Sequence, residues 1–172
     1  MSDKFPDHID PLLFAERRSV LAGELNIAAL ERLADSVIDR SGALNVRIEF
    51  GKEGKRVTVS GHIGGDIQLE CQSCLQALAW PVDISFKLSV VSSLQEAKQL
   101  DDSEPLMLDG ETISLTALIE DEILLALPDY PRHPFECIER NRSEDADYGA
   151  TDSQIKANNP FSVLAKLKKT GD

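Results

Sequence analysis

LNVRIEFGKEGKRVTVSGHIGGDIQLE, residues 44–70, is the stretch whose reading decides the fold. Leu44, Val46, Ile48 and Phe50 alternate with Asn45, Arg47 and Glu49, the period-2 pattern of a strand with one face buried. The GKEG that follows makes a turn, and Val57, Val59, Gly61 and Ile63 then alternate with Arg56, Thr58, Ser60 and His62. Gly64-Gly65 reads as a bulge or a sharp bend, after which Ile67, Leu69 and Cys71 alternate with Asp66, Gln68 and Glu70. Further on, Trp80, Val82, Ile84, Phe86, Leu88 and Val90 alternate with Asp83, Ser85, Lys87 and Ser89. Four such segments with turns between them imply an antiparallel meander with one face on a core.

The flanks are read against that sheet. Residues 1–16, with Pro6 and Pro11, read as an irregular lead-in, followed by a short strand near Arg18 to Leu25. Asn26 can cap a helix over 27–39, in which Leu30, Leu33, Ala34, Val37 and Ile38 share a face opposite Glu31, Arg32, Asp35 and Asp39. SSLQEAKQLDDSE, residues 92–104, reads as a polar acidic loop, and PLML as a short returning strand. Ser114 caps a second helix, near 115–127, which Pro128 and Pro131 stop. From Glu139 to Asn159 the chain is polar and unpatterned. NPFSVLAKLKK then carries a short helix over 160–168, with Phe161, Leu164 and Leu167 on one side and lysines at its end.

The organisation expected is one α+β domain over 1–137 and a flexible polar tail over 138–172 that ends in the small helix. The fold class is a bent antiparallel sheet or half-open barrel of five or six strands with two covering helices.

The chain has 172 residues, enough for a core without disulfide or metal staples. Its formal net charge of −12 argues against non-specific nucleic-acid binding and suits a basic protein partner. That charge is regional: residues 95–147 hold 15 acidic side chains against four basic ones. No secretory apolar segment follows Met1, and no apolar run nears the roughly 20 residues of a membrane span. A cytoplasmic location is expected, with three cysteines kept reduced.

Chemistry is sparse. Cys71-x-x-Cys74, in LECQSCLQ, sits at a hairpin tip, where the turn can aim both sulfurs at one point. Zinc needs four ligands, and His133 with Cys137, in RHPFEC, offers the second pair. His62 lies on the opposite face in phase. The cysteines admit three readings: a zinc set, reduced thiols packed at a strand end, or a redox couple. The redox reading wants a helix N-terminus at the pair, and here a strand follows.

Glu120, Asp121 and Glu122 are about 100° apart around their helix, so they cannot all meet one ligand. They read as a solvated or partner-facing surface, with at least one near the core boundary and in need of its own counter-group. Lys166, Lys168 and Lys169 are the other partner-facing candidates. No nucleophile motif, phosphate loop, dinucleotide fingerprint or HExxH occurs, so no enzyme is expected.

Taken in order, LECQSCLQ, LIEDEILLALP with PRH and a cysteine after it, and NPFSVLAKLKK resemble the bacterial YceD family, described as the large ribosomal RNA subunit accumulation protein. The resemblance runs from about residue 26 to the C-terminus. It implies a cytoplasmic ribosome biogenesis factor needed for normal 23S rRNA levels, hence for the large subunit. The family's gene commonly sits beside that of a small basic ribosomal protein.

The function expected is therefore a non-enzymatic assembly factor whose acidic half holds a basic large-subunit ribosomal protein or meets the pre-ribosome, with no membrane and no small-molecule substrate. The first rival is a zinc-knuckle protein that binds rRNA directly through Arg47, Lys52, Lys55, Arg56 and Lys87. The second is an enzyme, either a thiol oxidoreductase using Cys71 and Cys74 or a carboxylate-dependent nuclease using Glu120 and Glu122.

Overall fold

The three alternating segments of residues 44–71 condense into two long strands. In the computed structural model, which describes residues 5–100 and 103–138, β3 spans Ala43–Glu53 and β4 spans Arg56–Glu70. They pair antiparallel across the turn, Glu53 opposite Arg56 and Asn45 opposite Gly64. β4 continues unbroken through Gly64-Gly65, and its pairing with β5 (Ala77–Val91) stays one-to-one there, Gly64 opposite Asp83 and Gly65 opposite Val82. No residue is inserted, so the diglycine is a bend and not a bulge.

Gly65 has φ +150°, and a Cβ built on it would lie 2.7 Å from Leu44 Cδ2. Glycine is thus required both by the backbone and by the approach of β3. Beyond the bend β3 no longer accompanies β4. Its edge is taken over by Ile38-Asp39, where the Ile38 N–H donates to the Gln68 carbonyl at 2.9 Å.

Before this meander come β1 (His8–Ile9), α1 (Pro11–Glu16) and β2 (Val20–Asn26). The lead-in is more ordered than its prolines suggest. Asp10 caps α1 by accepting the Leu12 and Leu13 N–H groups at 2.9 and 3.0 Å, and Pro11 occupies the first turn. After β5 come α2 (Leu94–Ala97), β6 (Glu104–Met107), β7 (Ile113–Ser114) and α3 (Leu115–Ala126). The stretch expected to be a plain loop contains α2. Ser93 caps it, accepting the Glu96 N–H at 3.2 Å, while Glu96 reaches back to the Ser92 N–H at 2.8 Å.

The main sheet has the order β2-β3-β4-β5-β6, and β1 pairs separately with β7. All neighbours in the main sheet are antiparallel except β5 and β6, which run parallel after the α2 crossover. The sheet is bent and does not close into a barrel.

Even-numbered residues of β3 and odd-numbered residues of β4 face the core, as their alternation requires. Leu44, Ile48, Val59, Ile63 and Ile67 have no solvent exposure. Burying each such side chain stabilises by about 1.5–3 kcal/mol. α3 closes the core with Leu115, Leu118, Ile119 and Ile123, one stripe at helical spacing. Its N-terminus is capped by Ser114, whose hydroxyl accepts the Ala117 N–H at 3.2 Å, and it stops before Pro128.

The expected helix over 27–39 is not formed. Two short 3-10 turns, Ile27–Ala29 and Leu33–Asp35, replace it, and Asn26 makes no side-chain cap. The apolar spacing is nevertheless used, since Leu30 and Leu33 are fully buried. What displaces the helix is a long-range partner. The Leu33 N–H, which a helix would bond four residues back, donates instead to Glu120 Oε1 of α3 at 2.9 Å. One covering helix, α3, therefore stands where two were expected. The tail, with its expected helix over 160–168, lies outside the described residues.

Candidate metal centre

Two pairs of side chains far apart in sequence meet at one end of the long strands. Cys71 follows β4 directly, Cys74 lies in the turn to β5, and His133 and Cys137 come from the strap after α3. Their ligand atoms all lie within 4.8 Å of one another. Local sequence explains the assembly. The turn is closed by the Leu75 N–H donating to the Cys71 carbonyl at 2.8 Å and the Cys71 N–H donating to the Gln76 carbonyl at 2.9 Å. Leu75 takes φ +60° to complete it. The strap contains Pro131 and Pro134, which favour extended backbone before them. It is tied to the turn where the Gln72 N–H donates to the Pro131 carbonyl at 2.8 Å.

The separations are those of a coordination shell. Cys71 Sγ and Cys137 Sγ are 3.7 Å apart, and Cys74 Sγ and His133 Nδ1 are 3.4 Å apart. Metal–sulfur bonds of about 2.3 Å and metal–nitrogen bonds of about 2.0–2.1 Å at tetrahedral angles give edges of about 3.8 and 3.6 Å. A disulfide would need about 2.05 Å, and all three cysteines are free.

The histidine is already oriented. Its Nε2 lies 3.1 Å from the Ala77 carbonyl and donates to it, which leaves the Nδ1 lone pair facing Cys74. Its ring stacks on Phe135, centroids 4.8 Å apart.

Electrostatics point the same way. Burial pushes the Cys71 thiol up, but the backbone N–H groups of Cys74, His133 and Ser73 directed at its sulfur outweigh this, and its pKa falls to about 5. Burial and the neighbouring Cys74 and Cys71 sulfurs push Cys137 up to about 11. The cluster thus presents a Cys71 thiolate in a cradle of amide dipoles beside a Cys137 thiol that resists further negative charge. A cation relieves that conflict. His62, expected to stand apart, points away and meets Asp83 at 2.8 Å.

The three acidic residues of α3 are dispersed. Glu120 is 5% exposed. It accepts from the Leu33 N–H and from Arg32 Nε at 2.8 Å. Burial works to raise its pKa, but the Leu33 N–H and the Arg32 guanidinium bring it below the usual carboxylate value. Asp121 is exposed and bonds Arg32 Nη1 at 2.6 Å. Arg32 Nη2 adds a bond to the Ala117 carbonyl at 3.0 Å. Glu122 is half-buried, and burial together with Glu104 and Asp121 raises its pKa. Lys166, Lys168 and Lys169 lie outside the described residues.

Reading the residues in order did not find Arg32. Its partner is 88 positions away, and no local pattern announces such a pair. The amide cradle of Cys71 was implicit in the hairpin tip, but its third donor comes from the strap.

The fold and cluster define an α+β protein whose bent sheet carries, at the tip of its longest hairpin, a Cys3His group able to hold a metal ion. Comparison with known proteins is more specific. The family described as Large ribosomal RNA subunit accumulation protein YceD matches residues 59–168, and the chain belongs to that family. A Haemophilus influenzae protein named Large ribosomal RNA subunit accumulation protein YceD is 34% identical over 170 residues, covering 96% of this chain and 97% of its own. No solved structure matches the chain. Among the described residues no helix is long and apolar enough to cross a membrane.

Proposed function

We propose that this protein is a non-enzymatic ribosome biogenesis factor that supports accumulation and maturation of 23S rRNA, acting through an acidic surface that binds a basic large-subunit ribosomal protein. The observation that carries this is family membership over residues 59–168, with a relative named for large ribosomal RNA subunit accumulation that aligns over 96% of the chain.

The charge distribution supports a protein client. Residues 95–147 hold 15 acidic side chains against four basic ones, a field that attracts cations and repels phosphate. The basic set that would serve direct rRNA binding is largely engaged within the fold. Arg47 pairs with Glu49 at 2.8 Å, Lys52 with Glu16 at 3.5 Å and Lys87 with Glu53 at 2.7 Å. Arg56 donates to the Gln99 carbonyl at 3.1 Å.

The ion assigned to Cys71, Cys74, His133 and Cys137 is zinc, which favours four-coordinate sulfur and imidazole sites. Bound there it supplies a crosslink between turn and strap. With four protein ligands no position is left open for a substrate, which supports a structural role over a catalytic one.

Deleting the gene should lower the 23S-to-16S rRNA ratio, and the wild-type chain should restore it. Immobilised protein should retain a basic ribosomal protein at about 50 mM salt and release it progressively by about 300 mM, as screening shortens the Debye length. Retention indifferent to salt, or tight binding of naked rRNA at physiological ionic strength, would overturn the acidic-surface reading.

A further inference from the structure

The surface around the cluster displays large apolar groups. Leu75, at the tip of the turn, is 65% exposed; Phe135, stacked on His133, is 63% exposed; and Tyr130, next to the Pro131 carbonyl that fixes the strap, is 71% exposed. Leu75 holds its side chain in water from a left-handed backbone (φ +60°), a conformation that costs a leucine of order 1 kcal/mol. Three such side chains near one well-braced turn make an apolar patch of the kind that marks an interaction site.

Beside them opens a cavity of about 310 Å³. Its lining is mostly polar: Asp35, Glu70 and Asp129 line it with Ser36 and Gln72, and Leu69, Leu127 and Pro128 supply the apolar part. No basic side chain lines it among the described residues.

We propose that this end of the molecule is the docking site for the protein partner. It takes a basic segment with an apolar residue next to its cation: the apolar residue packs on Leu75 and Phe135, and an arginine or lysine side chain enters the cavity between Asp35, Glu70 and Asp129. Charge complementarity selects this occupant. Three exposed carboxylates around a mostly polar slot attract a cationic head, whereas the same carboxylates repel a phosphate backbone. The inference rests on the reading that the client is a basic ribosomal protein, and adds where it is held and by which chemistry.

The test uses the full-length protein in cells, with p-benzoylphenylalanine placed at Phe135 or, as control, at Leu94. Leu94 is 71% exposed and lies past the far end of β5, a strand of 15 residues or about 50 Å. The Phe135 position should crosslink to a basic large-subunit ribosomal protein identified by mass spectrometry, and the Leu94 position should not. Crosslinks only to RNA, to a second copy of the chain, or to residues 139–172 would overturn the proposal.

In solution, Leu75→Asn with Tyr130→Ser, and separately Glu70→Gln with Asp129→Asn, should each weaken binding of that ribosomal protein by about tenfold or more. Metal content and circular dichroism should stay as in the wild type; asparagine tolerates the positive φ at position 75. Wild-type binding with undiminished binding by both variants sinks this placement alone. A wild-type protein that binds no ribosomal protein sinks the placement and the reading beneath it.

Discussion

A single methyl group at Gly65 would strike Leu44 Cδ2 while forcing a left-handed backbone on an ordinary residue. Gly65→Ala should therefore lower stability by about 1–3 kcal/mol, visible as a fall in the thermal midpoint with the metal cluster still assembled. Glu122 makes the opposite prediction. Its folded pKa is raised by burial and by Glu104 and Asp121, so ionisation is penalised in the folded state. That penalty is absent well below the unfolded value, grows as pH rises through the folded pKa, and is complete above it. Glu122→Gln should raise the thermal midpoint by about one or two degrees at pH 7 and leave it unchanged near pH 3. The sequence could place both residues on their elements, but it could not reveal Leu44 against Gly65 or Glu104 near Glu122, because those are contacts made through space by distant segments.

Between elements, the clamp of Arg32 and Leu33 on Glu120 joins the turns of residues 27–35 to α3. Its carboxylate has a depressed folded pKa, so its contribution is fully present above the unfolded value and is lost as pH falls through the folded one. Glu120→Gln should destabilise by about 2 kcal/mol at pH 7, and the gap to wild type should close on acidification below about pH 4, as followed by chemical denaturation. This clamp also explains why the helix expected over 27–39 fails. Helical spacing of Leu30, Leu33 and Val37 describes which way side chains must face, and two tight turns satisfy the same requirement. The long strands β3, β4 and β5 were legible because each carries its own period of two over many residues, whereas β1 and β7, two residues each, were not. PLML was read as a strand and forms β6, but its parallel direction was not legible, since four residues beside a crossover carry no sign of direction.

For the molecule as a whole, the cluster couples the sheet to the strap that follows α3. Purified protein should contain one zinc per chain, and Cys71→Ser, His133→Ala or Cys137→Ser should each abolish it by elemental analysis. Chelation should lower the thermal midpoint and increase amide exchange chiefly in residues 128–138, because the strap is held to the turn mainly by the cluster and by the Gln72 and His133 hydrogen bonds. A strain carrying Cys71→Ser with Cys74→Ser as its sole copy should show a 23S-to-16S ratio between those of the deletion and the wild type. That these four side chains would form one group was legible, because sulfur and imidazole are scarce in this chain and a hairpin tip is a local signal. The exposed collar of Leu75, Tyr130 and Phe135 was not, since an apolar residue in a sequence does not announce that it will face water.

The order in which the four ligands are synthesised has one more consequence. Cys71 and Cys137 are 66 positions apart, and Cys137 comes last. A chain emerging from its N-terminus can pair its long strands well before the fourth ligand exists, so closure of the cluster is a late event in the birth of the molecule. Products of premature termination before codon 137 would carry the finished hairpin with only two thiols, those of Cys71 and Cys74, at its tip. If the group holds a metal, the four-ligand site can be completed only on chains translated through Cys137.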